Sequence, residues 1–193
     1  MPRIGLSRER VIVEAAAVAD GVGLERLTLA AVAKRLGVSL PGLYKHIDGL
    51  EGLRRDLAVR GVRELTAAMT AAAVCRSGQD ALHAMALAYR SYAVLHPALC
   101  AASIRAPSPA DAEHLAAGEA AVAVLRAVMD SYGIGGDDAI HAIRCLRVAL
   151  HGFVSLEAAG GFGLPQSVDV MFTRLIDSLD VTFSRWAEQA GLP

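Results

Sequence analysis

The chain has 193 residues, of which 54% are hydrophobic, 20% charged and 5% aromatic. This apolar fraction excludes an intrinsically disordered chain, and the low aromatic content favours helices over a β-sandwich. Three widely spaced cysteines exclude a disulfide framework and a CxxC metal pair, and the formal net charge of -1 gives no overall attraction to nucleic acid. We therefore expect a cytoplasmic protein without a metal or cofactor.

Helical periodicity runs through the N-terminal third of the chain. A first helix is predicted from the N-cap Ser7 to the stop signal Gly21-Val22-Gly23, with Ile12, Ala15, Ala16 and Ala19 on one face. A second helix is predicted from about Leu29 to Leu36, capped by Thr28 and ended by Gly37. A third begins after Ser39, with Pro41 in its first turn, and ends near His46.

Longer helices are predicted after residue 50. The first starts at Leu50 and ends at Ser77-Gly78, and the next ends at Pro97. Others start at Ser108-Pro109, at Asp137 and at Ser167. The predicted fold is all-α, with a three-helix N-terminal domain over residues 1–49 and about six helices over residues 50–193. No apolar run reaches the roughly 20 residues that span a bilayer, so no membrane partner is expected.

Residues 28–47 carry the pattern of a helix-turn-helix. Leu29, Val32, Ala33 and Leu36 form the inner face of one short helix, Gly37 allows a tight reversal, and Leu43 with Ile47 faces inward from the next. The second helix of such a motif enters the major groove of DNA. Residues 1–60 also carry ten Lys or Arg against seven Asp or Glu, a net charge of +3 in a chain of net charge -1.

The outward-facing residues of this motif suit DNA. Thr28, Ser39, Tyr44, Lys45 and His46 offer donors to phosphates, whereas Leu40, Pro41 and Gly42 point at base edges, where thymine methyls allow apolar contact. An ordinary helical corner with Tyr44 in a core is the alternative. A structural adaptor without DNA would leave Tyr44, Lys45, His46 and the local positive charge unexplained.

Residues 7–55 resemble the N-terminal DNA-binding domain of TetR-family transcriptional regulators, through Thr28-Leu29, Val32-Ala33, Leu36-Gly37-Val38-Ser39 and Leu43-Tyr44-Lys45-His46-Ile47. The resemblance implies that Thr28, Ser39, Leu40, Pro41, Gly42, Tyr44, Lys45 and His46 occupy DNA-contact positions. It also implies a ligand-responsive repressor, released from double-stranded operator DNA by a small-molecule inducer. The family often has a lysine near the start of the fourth helix, where this chain has Asp48-Gly49. Arg3, Arg8 and Arg10 either supply that charge from an N-terminal arm or lie on a solvated face.

The C-terminal part resembles the WHG-type ligand-binding branch of the same family. The resemblance runs through His151-Gly152-Phe153, Leu156-Glu157, Gly161-Phe162-Gly163, Asp169 and Phe172, with Leu150 in place of the usual Trp. It implies that the last two helices pair with those of a second subunit. A homodimer would set two recognition helices about 34 Å apart, at the spacing of successive major grooves. The expected interface residues are Leu150, Phe153, Phe172, Leu175, Leu179, Phe183 and Trp186; the alternative is that both helices are internal to a monomer.

A regulator of this kind needs a ligand pocket in its helical body. The candidate lining residues are Met85, Tyr89, Tyr92, His96, Leu115, Leu125, Met129, Arg147 and His151. For each apolar or aromatic member, packing in the core is the competing explanation. For Arg147, the competing explanation is a salt bridge at the surface. An enzyme is not expected, because GxGxxG, GxxxxGK[ST], HExxH and GxSxG motifs are all missing from the sequence.

Overall fold

The computed structural model describes residues 6–190, and the side chains of residues 6–186. Over this range it has nine α-helices and one short 3₁₀ turn, Leu24–Arg26, and no strand. The all-α prediction is thereby confirmed. The helices are α1 Arg8–Val22, α2 Leu29–Leu36, α3 Leu40–Leu43, α4 Gly49–Ala73, α5 Gly78–Leu95, α6 Pro97–Ala102, α7 Ala112–Ser131, α8 Gly136–Ala158 and α9 Val168–Ala190.

The described residues form two compact units. The first contains residues 6–63 and 96–117, and the second contains residues 64–95 and 118–190. The first unit therefore holds α1 to α3, α6 and the larger part of α4. The second holds α5, α8, α9 and most of α7. The division at residue 50, drawn from helix length alone, stays a prediction.

Short polar side chains begin several helices where the sequence predicts. The hydroxyl of Ser7 accepts a hydrogen bond from the Arg10 amide at 3.2 Å. Thr28 caps α2 in the same way and Ser167 caps α9, each through the amide three residues ahead. Such caps satisfy amides that have no partner within the helix, and they are local enough to be predicted from sequence.

Some predicted helix details are wrong. The regular α3 ends at Leu43, and residues 44–46 form a turn. The third-last helix begins at Ala112 because the Asp111 carboxylate accepts the His114 amide at 3.0 Å, while Ser108 caps only a turn. In α1, Val11 rather than Ile12 completes the buried face.

The core of the first unit forms between α1, α2, α3, α4 and α6. Asp20 of α1 accepts the Ala98 amide at 2.9 Å and so satisfies the start of α6. At Gly61 the backbone of α4 lies so close to α6 that a Cβ would overlap the Leu99 carbonyl oxygen. Its buried apolar side chains include Val11, Leu27, Val32, Leu43, Ile47, Leu53, Leu57 and Leu99.

The core of the second unit forms where α5 packs against α8 and α9. Its fully or nearly fully buried side chains include Leu82, Met85, Met129, Leu146, Phe153, Phe172, Ile176 and Phe183. Tyr132, in the turn just after α7, meets the edge of the Phe183 ring at 5.9 Å and donates to Asp180 at 2.6 Å. Burial, followed by that hydrogen bond, raises the pKa of Tyr132.

The helix α8 is long and apolar enough to cross a membrane, judged by length and composition alone. It contains no long unbroken apolar run, because acidic and basic residues interrupt its apolar ones. Seven of its residues are buried in the second unit. A core helix of a soluble protein meets the same test, so this property is weak support for a membrane span.

Candidate functional site

The helix-turn-helix is built on a left-handed glycine. Gly37 has φ 68° and ψ 32°, a conformation that is costly for a residue with a Cβ. The Val38 amide then donates to the Ala33 carbonyl at 3.0 Å, which closes the turn after α2. The Ser39 hydroxyl accepts the Gly42 amide at 3.3 Å and starts α3. Leu43 and Ile47 are buried and anchor the inner side of this segment.

The opposite side of α3 faces solvent. Leu40 is 39% exposed and Tyr44 is 54% exposed. The predicted contact residues Thr28, Ser39, Pro41 and Lys45 are also exposed, whereas Gly42 and His46 are half-buried. Tyr44 is therefore not a core residue, and the helical-corner alternative does not describe this segment. Seven of the eight predicted residues lie within residues 39–46, which contain α3 and the turn after it, whereas Thr28 lies at the N-cap of α2.

Two arginines near this surface are engaged in ion pairs. Arg8 forms a two-pronged contact with Asp56, at 2.9 and 2.5 Å, and Arg35 bonds Glu14 at 2.6 Å. Arg8 therefore holds α1 to α4. The predicted N-terminal arm also includes Arg3 and Arg10, and Arg3 lies outside the described residues.

An ionic cluster, which sequence reasoning missed, joins α4 to the start of α7. Arg55 binds Asp111, Glu113 and Asp56, and Arg63 binds Glu113 at 2.9 Å. The Arg55 guanidinium holds the pKa of the Asp111 carboxyl well below its ordinary value of 3.8. The partners are up to 58 residues apart, so no local pattern could have revealed them.

The predicted ligand-pocket residues fall into both units. His96 and Leu115 belong to the first unit and the other seven to the second. Met85, Tyr89, Tyr92 and Met129 are buried, Leu125 and His151 are half-buried, and Arg147 is exposed. Core packing thus accounts for the four buried members equally well.

Among these candidates, Tyr89 and His151 meet directly. The Tyr89 hydroxyl lies 3.3 Å from Nδ1 of His151, and the Ser155 hydroxyl lies 3.1 Å from Nε2 of the same ring. Burial, and then the charge of Arg147, lowers the pKa of His151. Each ring nitrogen of His151 therefore has a hydroxyl within hydrogen-bond distance.

The residues that carry the C-terminal resemblance converge on Arg90 of α5, which the sequence analysis did not single out. Arg90 bonds Glu157 at 3.0 Å and Asp169 at 2.7 Å. Its guanidinium carbon lies 5.2 and 5.0 Å from the ring centroids of Phe153 and Phe172. The pKa of Arg90 is raised, chiefly by the Glu157 hydrogen bond. This group of residues therefore fixes α5, α8 and α9 to one another.

Most of the predicted interface residues have little surface left for a partner. Leu150, Phe153, Phe172 and Phe183 are all 3% exposed or less in the single chain. Leu175, Leu179 and Trp186 are half-buried. The outer faces of α8 and α9 instead expose other apolar residues, namely Val148, Leu156, Val170, Met171 and Val181. An open groove of about 460 Å³ follows α9, lined by Arg174, Asp177, Ser178 and Val181.

Comparisons with known proteins agree with this architecture. A family model described as "Tetracyclin repressor-like, C-terminal domain" matches residues 82–179. The chain is 37% identical over 187 residues to the "Uncharacterized HTH-type transcriptional regulator Rv0681" of Mycobacterium tuberculosis, covering 96% of this chain and 85% of that protein. It is 34% identical over 161 residues to the similarly named YobS of Bacillus subtilis, covering 83% and 84%. The chain belongs to the TetR family.

A solved structure shows the same fold. A TetR variant from Acinetobacter baumannii, in complex with minocycline, has a TM-score of 0.72 at 23% identity, covering 95% of this chain and 99% of that one. The family model and the two relatives make this TetR-family chain a helix-turn-helix transcriptional regulator and not an enzyme. TetR-family regulators bind operator DNA and small molecules and form dimers. Membership of the WHG-type branch stays a prediction.

Proposed function

We propose that this regulator is a cytoplasmic homodimeric repressor whose two copies of α3 occupy successive major grooves of an operator. Residues 1–49 form the DNA-binding domain in this proposal, and residues 50–193 bind the inducer and the second subunit. The observation that carries it is the exposed row Leu40, Pro41, Tyr44 and Lys45, held outward by the buried Leu43 and Ile47.

Phosphate contacts supply most of the affinity in this proposal. The Tyr44 hydroxyl and the Lys45 ammonium are exposed and carry donors that suit phosphate oxygens. The exposed Thr28 and Ser39 lie at the starts of α2 and α3, and His46 adds a half-buried ring. Gly42 lacks a side chain and so leaves room for the DNA backbone or a base edge.

Inducer binding weakens DNA binding by a shift between two conformations. A small molecule held by residues such as Met85, Tyr89, Met129 and His151 must bind one conformation better than the other, because only this difference can move the equilibrium. The helix α4 supports such coupling, since its residues up to 63 belong to the first unit and the rest to the second. The pair formed by the buried Tyr89 and the half-buried His151 favours an inducer with a polar group.

The DNA-binding assignment is tested with duplexes from the region upstream of the coding sequence. We expect Lys45→Ala to weaken binding by about tenfold or more, because it removes a charged hydrogen bond in each subunit. The slope of log K against log salt should become shallower by roughly two units, one phosphate contact per subunit. Tyr44→Phe should weaken binding less, across all sequences. Fluorescence anisotropy over a salt series measures both quantities.

Arg76→Ala provides a matched control, because it removes one exposed cation just beyond the C-terminal end of α4. It should leave affinity and salt slope unchanged. Operator affinity that is equal in wild type, Tyr44→Phe and Lys45→Ala would refute the contact assignment. Failure of the wild-type protein to bind any duplex would refute the proposed function itself.

A further inference from the structure

We propose that this regulator reads its operator mainly through thymine methyl groups, which pack against Leu40 and Pro41. The inference rests on the proposed function, because it names the DNA chemistry that the same surface recognises. It makes Leu40 and Pro41 the specificity-determining residues, while Tyr44 and Lys45 position the protein on the backbone.

The first step is which side chains reach the bases. A recognition helix contacts base edges with the residues of its N-terminal part. In α3 those residues are Leu40 and Pro41, both exposed, followed by Gly42, which has no side chain. Leu43 is buried and serves as the anchor. The base-facing positions therefore carry no side-chain donor or acceptor.

The second step is that Asn, Gln and Arg, three of the side chains that read a base by two hydrogen bonds, do not occur between Leu36 and Leu53. Asn and Gln read adenine in this way and Arg reads guanine. The chain contains no Asn, and its three Gln, at positions 79, 166 and 189, belong to the second unit. No Arg occurs between Leu36 and Leu53. Lys45 is the remaining guanine reader in this segment, and it lies in the turn after α3.

The third step is what two apolar side chains can distinguish. The C5 methyl of thymine is the apolar group that base pairs present in the major groove. Packing against that methyl removes the apolar surface of Leu40 from water, which is favourable. Packing against the polar edge of another base brings no such gain, and it leaves the donors and acceptors of that edge without hydrogen-bond partners. The pairs that face Leu40 and Pro41 should be T·A, with weaker discrimination elsewhere in the half-site.

The test removes methyls one at a time. Bound duplexes are selected from a random duplex library, and each thymine is then replaced in turn by deoxyuridine, which lacks only the methyl. We expect one or two positions per half-site where the replacement weakens binding about fourfold, and about 15-fold when both half-sites are changed. Placing 5-methylcytosine at those positions should bind better than cytosine.

The protein side of the test uses Leu40→Ala and Pro41→Ala. Both residues are exposed, and each variant should lose the sensitivity to deoxyuridine at its own position. Leu87→Ala is the matched control, since Leu87 is a 55% exposed leucine of α5, and it should keep the full sensitivity.

Equal binding of thymine and deoxyuridine duplexes at every position overturns the inference while leaving the proposed function standing. So does a deoxyuridine effect that persists in both variants, or a site dominated by one guanine whose effect vanishes in Lys45→Ala. A protein that selects no duplex overturns both the inference and the function.

Discussion

Glycines in this chain have different structural roles at different positions. Gly61 has an ordinary helical backbone, yet a Cβ there would overlap the Leu99 carbonyl oxygen of α6. Gly118 lies within α7, and a Cβ there would meet no atom within 4 Å. Gly37 is needed for its positive φ. Sequence analysis identifies Gly37, which ends a predicted helix, but cannot identify Gly61, whose role comes from a contact with a residue distant in the chain.

The contrast between Gly61 and Gly118 gives a matched pair of substitutions. Gly61→Ala should lower the free energy of unfolding by about 2 kcal/mol or more, because the backbone of α6 must move away. Gly118→Ala should raise it by about 0.5–1 kcal/mol, as alanine loses less entropy than glycine in a helix. Urea unfolding followed by circular dichroism, at one protein concentration, measures both. Equal effects of the two substitutions would show that α4 and α6 do not approach closely at Gly61.

Helix ends in this chain are determined partly by local and partly by distant contacts. The starts of α1, α2, α3 and α9 follow from a hydroxyl that bonds an amide three residues ahead, and sequence analysis finds them. The start of α7 differs because the Asp111 carboxylate binds both the His114 amide and Arg55 of α4. Arg55 is 56 residues away, so sequence analysis instead favours Ser108 followed by Pro109.

Protonation of Asp111 should weaken this contact with a defined sign. Arg55 lowers the pKa of Asp111 in the folded chain below the ordinary value of 3.8. The unfolded chain therefore binds the proton first as the pH falls, so the stabilisation is complete above pH 3.8 and is lost below it. Asp111→Asn keeps a capping side chain but loses the charge, so it should unfold at a lower temperature at pH 7.

Thermal unfolding from pH 7 to pH 2 measures the effect. The difference between wild type and Asp111→Asn should shrink as the pH falls below 3.8. Burial also lowers the pKa of His114, whose stabilising effect is lost as the pH falls below 6.5, and the Asp111 charge that partly offsets this shift is missing from Asp111→Asn. The change below pH 3.8 is therefore the part of the curve that reports Asp111 itself. Asp130→Asn, an exposed carboxylate on the same helix, is the control and should follow wild type. A constant difference at every pH would contradict the proposed charge pairing.

At the scale of the whole molecule, apolar patterning alone does not separate a core from an interface. The pattern in α8 and α9 correctly predicts amphipathic helices, but the largest side chains chosen for a dimer, such as Phe153 and Phe172, are used inside the second unit. Val148 of α8 is instead 74% exposed, and Val181 of α9 is 48% exposed. If these helices pair with a second subunit, their exposed valines lie in the contact.

Charge placed at these valines should therefore separate the subunits. Val148→Glu and Val181→Glu would each bury an unpaired carboxylate in the interface, which is energetically costly. The mass in solution should therefore fall from 40.4 kDa, twice the mass of one chain, towards 20.2 kDa. Val94→Glu, at a 65% exposed valine of α5, is the matched control and should stay dimeric.

Loss of the dimer should also weaken DNA binding, because a single subunit presents only one α3 to a two-fold symmetric operator. The two dissociated variants should therefore lose most of their operator affinity, while Val94→Glu keeps it. Multi-angle light scattering and anisotropy on the same samples link the two measurements. A monomeric variant with wild-type affinity would show that DNA binding does not need the pairing of α8 and α9.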